Sequence, residues 1–147
     1  MNPSLLKDVK ITRVTNAVTA GQAATASDIL DMSGYEGVVF IAALGDVSDT
    51  SVVTLTAQQN TANSTSGMAT LSGSATFTAG ASDADNKLLV LDVYRPRERY
   101  VRAVFTSATA NAVKDGVIAI QYGPRVMPVT QGSTVIDSDT LIEPAEA

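Results

Sequence analysis

Residues 9–14 (Val-Lys-Ile-Thr-Arg-Val) alternate apolar and polar side chains. A period of two marks a half-buried strand, because successive side chains leave opposite faces of the pleat. Residues 52–59 (Val-Val-Thr-Leu-Thr-Ala-Gln-Gln) alternate again, and their threonines suit a pleated surface. Residues 38–44 form a continuous apolar run between glycines, which predicts a central strand buried on both faces. Residues 117–122 (Val-Ile-Ala-Ile-Gln-Tyr) predict a further strand, led in by the turn Lys114-Asp115-Gly116. A short strand is predicted at 27–32 and a loose one, rich in small residues, at 68–78.

The segment from Lys87 to Phe105 carries two runs rich in aliphatic and aromatic residues around a short, charged, proline-containing turn. That pattern predicts a β-hairpin with strands at 88–94 and 100–105. No helical periodicity of useful length and no internal repeat occurs. About eight short strands punctuated by turns predict an all-β fold, an antiparallel β-sandwich or jelly-roll-like barrel. The pattern stops after Tyr122, where Gly123-Pro124-Arg125 breaks the strand. Residues 1–125 are therefore read as the β domain with a short lead. Residues 126–147 are read as an extended acidic arm, ordered weakly in an isolated subunit, with no basic residue after Arg125.

Composition narrows the function. With 147 residues the chain is long enough for one domain with its own core. It has neither cysteine nor histidine, which removes thiolate nucleophiles, Ser-His-Asp triads and the commonest transition-metal ligands. A net charge of −5 argues against general nucleic-acid binding. The longest apolar run is too short to span a bilayer, and the N-terminus lacks the pattern of a signal peptide. Ser4-Leu-Leu-Lys7 has the Ser-x-x-Lys spacing of penicillin-recognising enzymes, but the companion motifs are absent. Asp83-Ala-Asp85-Asn86 and the pair Asp46 and Asp49 place carboxylates in loops, where solvated turn residues are a better reading than a calcium site. Asn63-Ser-Thr65 is a formal glycosylation sequon in a polar loop. No enzyme, cofactor or metal is expected.

Five of the ten basic residues lie in the predicted hairpin: Lys87, Arg95, Arg97, Arg99 and Arg102. Arg95, Arg97 and Arg99 alternate, so on an extended backbone they would form one basic ridge for an acidic partner. The other reading is an ordinary solvated face neutralised within the subunit by Glu98 and neighbouring acids. Tyr35 and Tyr94 are either core residues with wet hydroxyls or interface anchors, as are Tyr100 and Tyr122. The interface candidates are thus Arg95, Arg97, Arg99, Arg102, Tyr94 and Tyr35. Lysine is sparse among the predicted strands, so edges are expected to be covered by other subunits in closed symmetry.

Four segments carry a resemblance: Ser4-Leu-Leu-Lys-Asp-Val-Lys-Ile-Thr-Arg13; Asp31-Met-Ser-Gly-Tyr-Glu-Gly-Val-Val-Phe-Ile41; Leu89-Val-Leu-Asp-Val-Tyr-Arg-Pro96 with Arg99-Tyr-Val-Arg-Ala-Val104; and Asp115-Gly-Val-Ile-Ala-Ile-Gln-Tyr-Gly-Pro124. In these strings, and in their order, the chain resembles a group of small structural proteins of tailed bacteriophages. The polar region 57–84 departs most from that pattern. The strings describe the group and carry no site residues. The resemblance implies a virion component made in the bacterial cytoplasm, a decoration (cement) protein with a jelly-roll-like fold. Its expected partners are the major capsid protein and itself, as a homotrimer, with neither nucleic acid nor membrane bound. The alternatives are a carbohydrate- or receptor-binding sandwich of a fibre, and a tail-tube or head–tail connector subunit.

Overall fold

The computed structural model describes residues 4–146, and among them regular structure is almost entirely β. One helical turn, α1 (Leu5–Asp8), precedes β1 (Lys10–Thr15), β2 (Val18–Gly21), β3 (Ala24–Ala26), β4 (Leu30–Asp31) and β5 (Gly37–Val47). Then come β6 (Val52–Asn60), β7 (Ala69–Thr70), β8 (Ala75–Thr78), β9 (Leu88–Tyr94), β10 (Tyr100–Ala108) and β11 (Ala112–Tyr122). The strands number eleven rather than the eight expected. The difference is local, because three sheet positions are each filled by two short strands in line. β1 and β2 share one side of β11, β3 and β4 one side of β10, and β7 and β8 one side of β6.

All pairs are antiparallel, and they nest. The first position pairs with the last (β1/β2 with β11) and the second with the last but one (β3/β4 with β10). The third pairs with β9 through β5, and the fourth, β6, with its successors β7 and β8. Sheet A therefore runs β1/β2–β11–β5–β9, and sheet B runs β3/β4–β10–β6–β7/β8. This nested arrangement is a jelly roll.

The topology corrects one expectation outright. β9 lies in sheet A beside β5, and β10 lies in sheet B beside β6, so residues 88–105 are not a hairpin. Residues 95–99 instead carry the chain from one sheet to the other. A strand–turn–strand pattern is the same whether the two strands bond to each other or face each other across a core.

The alternation places the core as required. Val38, Phe40, Ala42 and Leu44 of β5 face Val53, Leu55 and Ala57 of β6 and Val101, Ala103 and Phe105 of β10 in one buried cluster. Each large side chain buried in that way stabilises the fold by about 1.5–3 kcal/mol. Lys114 and Gly116, read from sequence as part of a turn, lie inside β11, where the ladder to β5 shifts register. Gly116 adopts φ +114 there, a conformation that glycine reaches without a side-chain clash.

The C-terminal arm has no strand of its own, yet residues 129–134 run along the outer edge of β1. Val129 donates its N–H to the Lys7 carbonyl at 2.9 Å. Gln131 Oε1 accepts from Ile11 N at 2.8 Å, while its Nε2 donates to the carbonyls of Leu6 and Val9. Thr134 Oγ1 accepts from Arg13 N at 3.1 Å. Side chains, not another strand, satisfy the free edge of β1, which blocks pairing there.

Candidate interface

The 95–99 crossover brings the predicted arginines to one end of the sandwich, but not as a ridge. Arg95 has φ +51, so the backbone turns where an extended run was needed. Its Nε lies 3.0 Å from Glu36 Oε2 and its guanidinium sits over the Tyr94 ring, 5.1 Å from the centroid. Arg99 makes a two-pronged contact with Asp31, at 2.9 and 2.8 Å, and lies over the Tyr100 ring. The acids that neutralise this corner are thus Glu36 and Asp31, not Glu98. Arg97 holds the loop through its backbone N–H to Gln59 Oε1 at 3.2 Å, and its side chain is exposed. Arg102 stands apart on the outer face of sheet B, donating to Gln58 Oε1 at 2.7 Å.

The Arg99 hydrogen bonds hold the Asp31 carboxyl well below the usual carboxylate range. A carboxylate with a lowered folded value adds stability above its unfolded value, about 3.9, and loses it as the pH falls. Both partners are half exposed, so the effect is small. Asp31→Asn should lower the urea midpoint slightly at about pH 7, and the difference should shrink below about pH 4. A difference that persisted unchanged into acid would show that Asp31 acts through something other than its charge.

The tyrosines divide. Tyr35 is partly buried, packing against the core cluster at the sandwich end, and that burial pushes its hydroxyl up. Tyr94 is exposed on the outer face of sheet A. Tyr122 straps that same face: its hydroxyl donates to Asp92 Oδ1 at 2.6 Å, crossing from β11 over β5 to β9. Burial, with the Asp92 carboxylate, pushes the Tyr122 hydroxyl up. Gly37 makes room for the strap, since a Cβ there would run into the Tyr122 ring and lie 2.8 Å from the Val93 carbonyl.

The feature that sequence reasoning missed is the contrast between the two outer faces. On sheet B the face is polar and finished by its own side chains: Thr54 with Thr76 at 2.9 Å, Gln58 with Thr70 at 3.2 Å, and Gln58 with Arg102. On sheet A the outward positions are Ile11 on β1, Ile118 and Ile120 on β11, Val39 and Ile41 on β5, and Leu88, Val90 and Tyr94 on β9. The registers put Ile41 between Ile118 and Val90, and Val39 between Ile120 and Asp92, so the residues form one continuous band. Residues 38–44 are therefore buried on one face only. Val39, Ile41 and Ala43 on the other are partly open, and Leu88, Val90 and Tyr94 are 59%, 52% and 60% exposed. This contiguous apolar sheet face is the candidate interface.

The remaining candidates have structural explanations. Asp83 Oδ1 accepts from Gly80 N at 2.7 Å and Asp85 Oδ1 from Val47 N at 2.9 Å, so both carboxylates shape their loop. No group of three acidic, histidine or cysteine side chains placed to hold a metal occurs among the described residues. Asn60 Nδ2 bonds the carbonyls of Ser64 and Ser66, which fixes the exposed loop that carries the sequon. Ser4 Oγ meets Thr140 Oγ1 at 3.2 Å. No helix among the described residues is long and apolar enough to cross a membrane. Compared with known protein families and with curated proteins, the chain finds no match.

Proposed function

We propose that the chain is a non-enzymatic structural protein of a tailed-phage particle, seated on the major capsid protein as a decoration oligomer that stabilises the head. The observation that carries this reading is the apolar outer face of sheet A, set against the self-satisfied polar face of sheet B. A rigid jelly roll with one finished face and one unfinished face is built to be covered on one side. The resemblance in four strings supplies the particle. The chain's acidic balance and its arginine corner, already neutralised by Glu36 and Asp31, favour apolar contact over charge as the source of affinity.

Two measurements test it. Copy number in purified particles should run to hundreds; a few to dozens would point to a connector or fibre. Ile41→Lys with Ile118→Lys places two charges on the open face without touching the core. The variant should fold normally and lose capsid occupancy more than about tenfold, the scale on which buried interface anchors act. Full occupancy by this folded variant would remove the face from the mechanism.

A further inference from the structure

The band on sheet A ends at β9, and β9 is unfinished in a second respect. It pairs with β5 on one side only. Leu44 N bonds the Lys87 carbonyl and Arg95 N bonds the Glu36 carbonyl. Because bonded and non-bonded pairs alternate along an antiparallel ladder, residues 89, 91 and 93 turn their backbone groups toward β5. Leu88, Val90, Asp92 and Tyr94 turn theirs to the open edge, and the same four residues carry the exposed side chains. No lysine, proline or bulge interrupts this seven-residue strand, so it is an unprotected template for an incoming strand. Shallow grooves run along it, between β9 and the 71–77 segment of sheet B, with Phe77 on the wall of one.

The chain also carries an apolar segment with no strand of its own, bent at residues 142–143 (Glu143 φ +44) and touching Ser4 through Thr140, which straightens when it docks as a strand. After Thr134 leaves the β1 edge, Ile136 and Ile142 are 98% and 81% exposed, and Leu141 is also open. We infer that residues 136–143 of one copy add to the free edge of β9 in the next copy, as an antiparallel strand. This deepens the proposed function and rests on its reading of the chain as a self-associating particle protein. Four features fit. Eight extended residues span about 27 Å, against about 24 Å for β9. In the register that sets Val90 opposite Thr140, Ile136 lies by Tyr94 and Ile142 by Leu88, extending the apolar band. Glu143 then falls opposite Lys87. Asp137 falls opposite Val93, diagonal to Arg95 at the other end of the strand.

The position of the two elements constrains the symmetry. The arm leaves sheet A from the β1 edge, and the acceptor is the opposite edge of that sheet. Donor and acceptor are different surfaces, so the contact is head-to-tail, and copies joined in this way close into a ring where the rotation between them permits, two copies exchanging arms being the smallest. In that arrangement both edges of sheet A are covered, one by the chain's own arm root and the other by a neighbour's arm tip.

Because the chain lacks cysteine, disulfide trapping is clean. Opposed residues in a bonded antiparallel pair lie about 5.5 Å apart between Cα atoms, within disulfide reach. Val90→Cys and Thr140→Cys, made in separate full-length chains, mixed and oxidised, should give a covalent pair containing one of each. The double variant should give a covalent ladder ending in a closed ring. An intrachain disulfide in the double variant would overturn the inference, because the arm would then reach its own β9. So would the absence of the mixed product from protein that light scattering shows to be oligomeric, and that result would leave the decoration reading intact. Protein that stays monomeric, without cross-links, yet fills its capsid sites would overturn arm exchange while sparing capsid binding. Loss of capsid occupancy in the wild type would instead refute the proposed function.

Discussion

Phe105→Ala should lower the unfolding free energy by about 3–5 kcal/mol, the range for deleting a buried aromatic side chain. Phe105 is 1% exposed at the centre of β10, paired with Leu55 on β6 and with Thr25 on β3, and it points into the gap between the sheets. Its ring also lies under the Lys114 ammonium, 5.6 Å from the centroid, so truncation removes apolar packing and a cation–ring contact together. Domains of this size have about 5–15 kcal/mol in total, so this one change takes a large share. Urea unfolding followed by β-sheet circular dichroism measures it. Thr106→Ala, the next residue and on the outer face, is the control and should stay within about 0.5 kcal/mol. A loss under about 1 kcal/mol for Phe105→Ala would show that the ring does not sit in a packed core.

Period two puts Phe105 and Thr106 on opposite faces, although the strand predicted at 100–105 stopped short of Thr106, which lies inside β10. The alternation in 52–59, 88–94, 100–105 and 117–122 located strands, but not the buried side of 117–122, where Gln121 faces in and Ile118 and Ile120 face out. Partners were not legible. The stretch from Lys87 to Phe105 has every local mark of a hairpin, yet Tyr94 pairs with Gly37 and Tyr100 with Asn60. Turn chemistry reports that the chain reverses, not whether it reverses within a sheet or between sheets. The strand count differed for a related reason: two-residue strands such as β4 and β7 are too short to show a period, and only their longer partners define them.

The site was legible in composition and not in geometry. Crowding of arginine around residue 97 correctly marked a charged corner. The acids that satisfy it, Asp31 and Glu36, are 68 and 59 residues from their partners, beyond any local pattern. The run 38–44 misled in the opposite direction. A strand apolar on both faces can be covered twice by its own chain, or once by its own chain and once by another molecule. Its residues are the same in both cases. The structure distinguishes them, since Val38, Phe40 and Ala42 are fully buried against sheet B, whereas Val39 and Ile41 on the other face are only partly buried.

The largest charge effect is expected at Lys114, which the sequence pattern placed in a turn. It is 2% exposed, on the inward side of β11, and its ammonium donates to the Ala23 carbonyl and lies 3.5 Å from Thr25 Oγ1. It forms no ion pair among the described residues, so the charge is held by neutral oxygens and the Phe105 ring, and burial pushes its pKa below the usual lysine value. Lys114→Glu would bring a carboxylate against a carbonyl and should lower stability by about 3–5 kcal/mol, the scale of an uncompensated buried charge. Lys114→Met keeps the length and removes the charge, and should be neutral or stabilising. The two variants differ in pH behaviour too. Between the lowered folded value and about 10.4, the unfolded chain binds more protons than the folded one, so wild-type stability rises with pH across that window. Lys114→Met lacks the titrating group, so any advantage over wild type at about pH 7 should shrink as the pH approaches about 10. Paired urea titrations at the two pH values give the answer. An advantage that grew with pH, or a Met variant as damaged as the Glu variant, would mean that the ammonium is a net stabilising tie between the sheets.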